Sequence, residues 1–215
     1  MQANNSKNIF VYCLLSIAYC LLSGCAQIVS PSGGPKDTSP PRAIKYTPDS
    51  AATKFSAKHI IVVFDEYIQL NDLQKQLTIS PPMIVPQEVK ATGKTLLIEL
   101  KDTLKKNTTY TLNFGSSICD FTERNVKADF QYIFSTGNYI DTLSLMGTVK
   151  NAFDQKPDKG ILVMLYDTHE DSVPCKKLPS YFARTNEDGS YRITNIRPGT
   201  YKTFALKDAN LNYLY

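Results

Sequence analysis

Tyr110-Thr-Leu-Asn-Phe114 and His59-Ile-Ile-Val-Val-Phe64 decide the fold class of this 215-residue chain. In the first, Tyr110, Leu112 and Phe114 alternate with Thr111 and Asn113, the period of two that marks a strand with one buried face. The second is β-branched and apolar on both sides, which predicts a central strand. Ala43–Tyr46, Leu77–Ser80, Thr95–Leu100 and Phe130–Ser135 are further short apolar runs. Pro48-Asp49, Pro81-Pro82, Thr92-Gly-Lys94 and Lys106-Asn107 punctuate them. No long period of 3.6 interrupts the series. Roughly seven short strands in about 100 residues predict a Greek-key β-sandwich.

A second β unit begins near Leu143. Met146–Asn151 reads as a strand, and Pro157-Asp-Lys-Gly160 turns into Ile161–Tyr166. Thr185–Tyr191 and Ile196–Tyr201 each read as a turn entering a strand, the latter continuing to Lys207. Gly189 and Gly199 are expected to supply the permissive dihedrals of those turns, and the tyrosines after them to bury a ring beside each. The unit reads as incomplete, because Asn210–Tyr215 is an aromatic-rich stretch resembling the middle of a structure. The expected fold class is therefore all-β, with two consecutive sandwiches.

Ahead of both lies an apolar run, Ile9–Leu22, too short for a comfortable membrane span and closed by small residues. Leu22-Ser-Gly-Cys25 resembles the lipobox of bacterial lipoproteins, which implies cleavage before Cys25 and lipid attachment to its thiol. Lys7 and the α-amino group provide a positive start, and no stop-transfer charges follow Gly24. Residues 25–37 then form a tether. Across Ser30–Pro41, proline removes backbone donors and glycine raises the entropic cost of order. The expected organisation is a signal peptide at 1–24, the tether at 25–37, one β domain at 38–137 and a truncated second at 143–215. Asn138–Thr142 would be a short hinge between them.

Two further resemblances bear on the β units. Asp37-Thr-Ser-Pro-Pro41, Pro48, Phe64-Asp-Glu66, Leu104-Lys-Lys-Asn-Thr-Thr-Tyr110 and Phe134-Ser-Thr-Gly137 are similar to an SbsA-type bacterial Ig-like domain. That family implies an extracytoplasmic sandwich with no fixed catalytic residues. Gly147-x-Val149, Gly160-x-x-Val163-x-Leu165, Asp188-Gly-x-Tyr191 and Pro198-Gly-x-Tyr201 resemble a carboxypeptidase-regulatory-like, prealbumin-type domain, in which the module is accessory to the peptidase. The combination resembles a Bacteroidota envelope lipoprotein. Ala26 follows the cysteine in place of the aspartate that resembles an inner-membrane retention signal, and no acidic run follows it. This implies the outer membrane, on its periplasmic face.

Charge and reactive residues exclude more than they suggest. The net charge of +4 comes from scattered Lys and Arg, with no basic block, so no nucleic-acid partner is expected. The two histidines, His59 and His169, stand alone, and His169 sits in the acidic turn Asp167–Asp171. Neither has a partner at metal-ligand spacing. No nucleophile elbow or phosphate loop is present, so no catalytic residue, metal or cofactor is assigned. Asp65-Glu66, Asn186-Glu-Asp188 and Asp208–Asn212 are oxygen-rich enough for calcium but read more simply as turns. Cys119 and Cys175 read as independent thiols. The loop Gly115–Asp129, with Cys119, Asp120, Glu123 and Arg124, reads as a solvated connection able to bind something. The expected role is structural or binding without catalysis. The expected partners are the lipid bilayer, through an acylated Cys25, and an envelope protein or glycan; exposed tyrosines would stack on the latter, but most of the thirteen fall at strand positions and read as core or edge cover. An accessory part of a larger envelope enzyme is the remaining alternative.

Overall fold

The computed structural model describes residues 33–168, 170–208 and 212–214. Cys25 and the signal-peptide reading lie outside them. The chain divides at Lys36/Asp37, and both β units fall within the compact unit Asp37–Tyr215.

Strand β1 (Ala43–Thr47) pairs with β2 (His59–Phe64), which pairs with β6 (Thr95–Glu99), and β5 (Glu88–Thr92) closes the sheet in the order β1-β2-β6-β5. All contacts are antiparallel. Facing it is a three-stranded sheet, β10-β7-β4, made of Gln131–Ser135, Thr109–Asn113 and Thr78–Ser80. Between the two sheets, Ile60, Val62, Phe64, Leu96 and Ile98 meet Leu112, Phe114, Tyr132 and Phe134, all inaccessible to solvent. Each such side chain contributes about 1.5–3 kcal/mol through the area it removes from water. Phe55 stacks on Phe134 with ring centroids 4.0 Å apart.

The residues behind the first domain resemblance act as fasteners. The Tyr132 hydroxyl donates to the Pro48 carbonyl at 2.8 Å, tying β10 to the loop after β1, and burial pushes its pKa up to about 12. Asp65 accepts from the Arg42 backbone N–H at 2.8 Å, and chiefly this bond holds its carboxyl below the usual range. The Tyr110 hydroxyl accepts from the Lys105 N–H, and the Thr136 hydroxyl donates to the Lys105 carbonyl. A β-carbon on Gly137 would lie 3.1 Å from the Asn107 Cα, so this loop approaches the end of β10 closely.

In the second unit, β11 (Leu143–Thr148) pairs with β14 (Ser190–Ile196). A second sheet has the order β13-β12-β15, from Tyr181–Arg184, Leu162–Tyr166 and Lys202–Leu206. Val163, Leu165, Tyr181, Ile193 and Ile196 fill the space between these sheets. Leu162, Met164, Tyr166 and Phe182 form a separate cluster with Val173, against which Phe204 and Tyr213 pack. Strand β12 is consequently buried at every position.

Glycines of this unit sit where a side chain would not fit. Gly147 lies opposite Tyr191, and a β-carbon there would come 2.9 Å from the Tyr191 hydroxyl. Gly189 has φ +72°, and its β-carbon would meet the Val149 carbonyl oxygen at 2.5 Å. Gly199 departs from expectation, since it does not adopt a positive φ. Its small size instead accommodates the Tyr201 ring, 3.3 Å from where a β-carbon would stand. The Tyr191 and Tyr201 rings are half-buried.

Two burial expectations come out reversed. Strand β2 is internal to its sheet but alternates in exposure, with His59 exposed and Ile61 36% accessible. Strand β7, read as one-sided, buries Thr109 and Thr111 as well as its apolar residues. The second β unit supplies the missing cover. Thr111 donates its hydroxyl proton to the Asn195 Oδ1 at 3.0 Å, and Asn195 Nδ2 donates to the Asp141 carbonyl at 2.8 Å. Asp141, 4% exposed within the presumed hinge, accepts from the Thr109 hydroxyl through Oδ2 and donates its N–H back to that oxygen. The Phe182 N–H of β13 donates to the Ser80 hydroxyl at the end of β4.

Candidate functional site

The segment Gly115–Asp129 is a small sheet. Strands β8 (Ile118–Asp120) and β9 (Val126–Lys127) pair with each other, and β8 also pairs with β3 (Ile68–Leu70), giving the order β3-β8-β9. Asp120 explains its order. The side chain is nearly inaccessible and accepts the backbone N–H groups of Glu123, Arg124 and Asn125 at 2.7–2.8 Å. Burial alone would raise its carboxyl, but these donors outweigh it and hold the pKa below the ordinary aspartate range. The solvated connection expected from sequence is therefore corrected. One aspartate closes the turn and returns the chain to pair with itself.

This sheet and the sandwich edge border a cleft of about 430 Å³ lined by Tyr67, Gln69, Leu70, Ala91, Gly93 and Phe121. Tyr67 and Phe121 are 63% and 67% exposed, and the Phe121 N–H donates to the Tyr67 carbonyl. Lys94 sets its ammonium 5.8 Å from the Tyr67 ring centroid while donating to the Asp65 carbonyl. Two exposed aromatic side chains thus stand beside a largely apolar floor.

The other residues singled out from sequence are dispersed. His59 is exposed at the start of β2, and His169 lies outside the described residues. Cys119 and Cys175 are free thiols, the first buried and the second exposed. Burial pushes the Cys119 thiol pKa up, and Asn71 Nδ2 donates to its sulfur at 3.1 Å, so it remains a protonated packing residue.

The oxygen-rich stretches act as turn and pairing groups. Asp65 binds Arg42. Asp188 accepts from the Ser190 N–H and hydroxyl. Asp208 accepts from the Tyr213 N–H and faces Arg184 at 3.9 Å. Burial raises the Glu66 pKa, and repulsion from Asp120, Asp65, Asp37 and Glu123 adds to it. Among the described residues, no group of three or more His, Cys, Asp and Glu side chains is placed to hold a metal ion. No helix among them is long and apolar enough to cross a membrane.

A second cleft, of about 640 Å³, opens at the other end of the first sandwich, where Lys58, Lys101 and Lys106 surround Phe55, Leu100 and Leu104. Sequence reading missed it because Lys58 lies more than forty positions from Lys101 and Lys106. Only the antiparallel return of the strands gathers them.

No curated protein matches the chain. Among solved structures, it is similar to the major pilin subunit of Bacillus cereus, with 15% identity and a TM-score of 0.25. That similarity covers 68% of this chain and 52% of the pilin chain, about half its length. Residues 37–136, the first sandwich, match the family model described as a bacterial Ig-like domain.

Proposed function

We propose that this chain is a lipid-anchored module of the bacterial cell envelope, with a structural or binding role and no catalysis by its own residues. The observation that carries the reading is the lipobox-like Leu22-Ser-Gly-Cys25, set before a Pro/Gly tether and an Ig-like domain. Signal peptidase would cleave before Cys25, and acyl chains on that residue would hold the mature protein in the outer membrane, facing the periplasm. Each buried methylene contributes about 0.8 kcal/mol, so several chains anchor firmly where one does not.

Metabolic labelling with a fatty acid tests the anchor. Wild type should be labelled and Cys25→Ala should not, and equal labelling of both refutes it. Protease added to intact cells tests the side, because loss of the protein places it on the cell surface. A glycan-binding role has one specific observation in its favour, the paired exposure of Tyr67 and Phe121 beside a cleft.

A further inference from the structure

We propose that the cleft at the Lys58–Lys106 end of the first sandwich binds a carboxylate-bearing polysaccharide. This names a partner for the binding role above, but it does not depend on lipidation of Cys25. The cleft is lined by Lys58, Lys101 and Lys106, with the hydroxyl residues Ser56, Thr103 and Thr136. Lys54 and Lys105 are sequence neighbours of lining residues, and Arg197 reaches the same loop. Lys105 accepts the Thr136 hydroxyl proton at its carbonyl, Lys54 donates its N–H to Gly137, and the Arg197 guanidinium donates to the Asn107 carbonyl.

Carboxylates oppose part of this charge. Glu99 and Asp102 line the cleft, and Asp102 is occupied by the N–H groups of Ile84, Val85 and Thr103. Lys101 is paired with Glu88 at 2.7 Å. Lys54, Lys58, Lys105 and Lys106 are exposed and make no ion pair among the described residues.

Like charges held together in excess of their counter-groups repel, and a polyanion relieves that repulsion. The same sandwich is acidic at its other end, where the chain enters at Asp37 near Asp65, Glu66, Asp120 and Glu123. The lysine-rich cleft thus lies at the end of the sandwich opposite Asp65 and Asp120. Its concavity favours a chain of sugar rings over a flat bilayer, because a bilayer touches only the rim. Phe55, the aromatic ring of the floor, is 6% exposed, so it presents no face for a nucleobase.

Fluorescence anisotropy of labelled polygalacturonate oligomers, titrated with the purified full chain, tests the assignment. Wild type should bind, and affinity should fall steeply as salt rises from about 50 to 300 mM. Lys58→Gln/Lys105→Gln/Lys106→Gln should weaken binding by about tenfold or more, whereas the charge-matched set Lys75→Gln/Lys150→Gln/Lys177→Gln should change it less than about threefold. These positions are exposed, so neither variant disturbs the core. Absence of binding by wild type overturns the proposal, as does equal loss in both variants. Binding of anionic vesicles or single-stranded DNA that is equally tight and lost in the same lysine variant also overturns it. All of these outcomes leave the labelling test of Cys25 unaffected.

Discussion

Replacing Asn195 with alanine should cost the folded unit about 3 kcal/mol. Its side chain makes two of the hydrogen bonds that join the β units, accepting from Thr111 and donating to the Asp141 carbonyl. Each contributes about 1 kcal/mol net, and the loss leaves a Thr111 that is only 6% exposed without that acceptor. Asn195 also sits at φ +58°, a left-handed conformation that asparagine tolerates better than alanine. That strain adds about 1 kcal/mol. Asn195→Gly separates the terms, because glycine relieves the strain but loses the same bonds, so it should cost about 2 kcal/mol. Urea denaturation monitored by tyrosine fluorescence and far-ultraviolet dichroism would measure both. Wild type should unfold in one transition, and both variants should shift the midpoint with glycine ahead of alanine. A loss below about 0.5 kcal/mol for alanine would refute the view that this seam holds the units together.

Further outcomes follow from the same geometry. Gly189→Ala should destabilise by about 3 kcal/mol, combining a disfavoured positive φ with a clash against the Val149 carbonyl, measured in the same titration. Asp120→Asn should cost about 2–3 kcal/mol, since an amide cannot accept all three N–H groups, and amide exchange should accelerate first at Glu123–Asn125. Glu66→Gln should stabilise slightly at pH 7. The carboxyl's raised pKa means folding favours its protonated form, so its contribution is fully present below the unfolded pKa and is lost as pH rises through the folded value. The gain should vanish near pH 4, where wild-type Glu66 is itself largely protonated. Thiol alkylation mapped by mass spectrometry should modify Cys175 rapidly and leave Cys119 protected until denaturant is added.

Strand positions in the first unit were largely legible because short apolar runs between prolines and glycines leave few alternatives. His59–Phe64 spans β2 as read, and Tyr110–Phe114 overlaps β7 apart from one residue at each end. The strands that escaped notice lack that signal. β8 is three residues ending in aspartate, and its order comes from the turn Asp120 caps. β5 alternates only weakly, with Val89 and Ala91 packed on the core and charged neighbours outside. β13 presents two aromatic residues and then Ala-Arg, too short a run to count as periodic. The two clefts were illegible for a different reason. Tyr67 and Phe121 are over fifty positions apart and Lys58 and Lys106 over forty, and only strand pairing brings each pair to one cleft.

The burial reversal between β2 and β7 explains how one compact unit contains two cores. Alternation along a strand records which residues are apolar, and solvent access depends on what later packs against the other face. On β7 the covered outer residues are Thr109 and Thr111, whose hydroxyls engage Asp141 and Asn195. A face destined for a greasy interface would carry Val or Leu there, and a face left in water would leave those hydroxyls to solvent. Threonine suits a third case, a seam made by hydrogen bonds between structures that already bury their own apolar residues. The core clusters agree, since the cluster of the first sandwich shares no residue with those of the second. Asp141 and Asn195 therefore fix the relation of two self-contained sandwiches while adding little apolar burial. The segment Asn138–Thr142 acts as a polar clasp where its composition suggested a hinge.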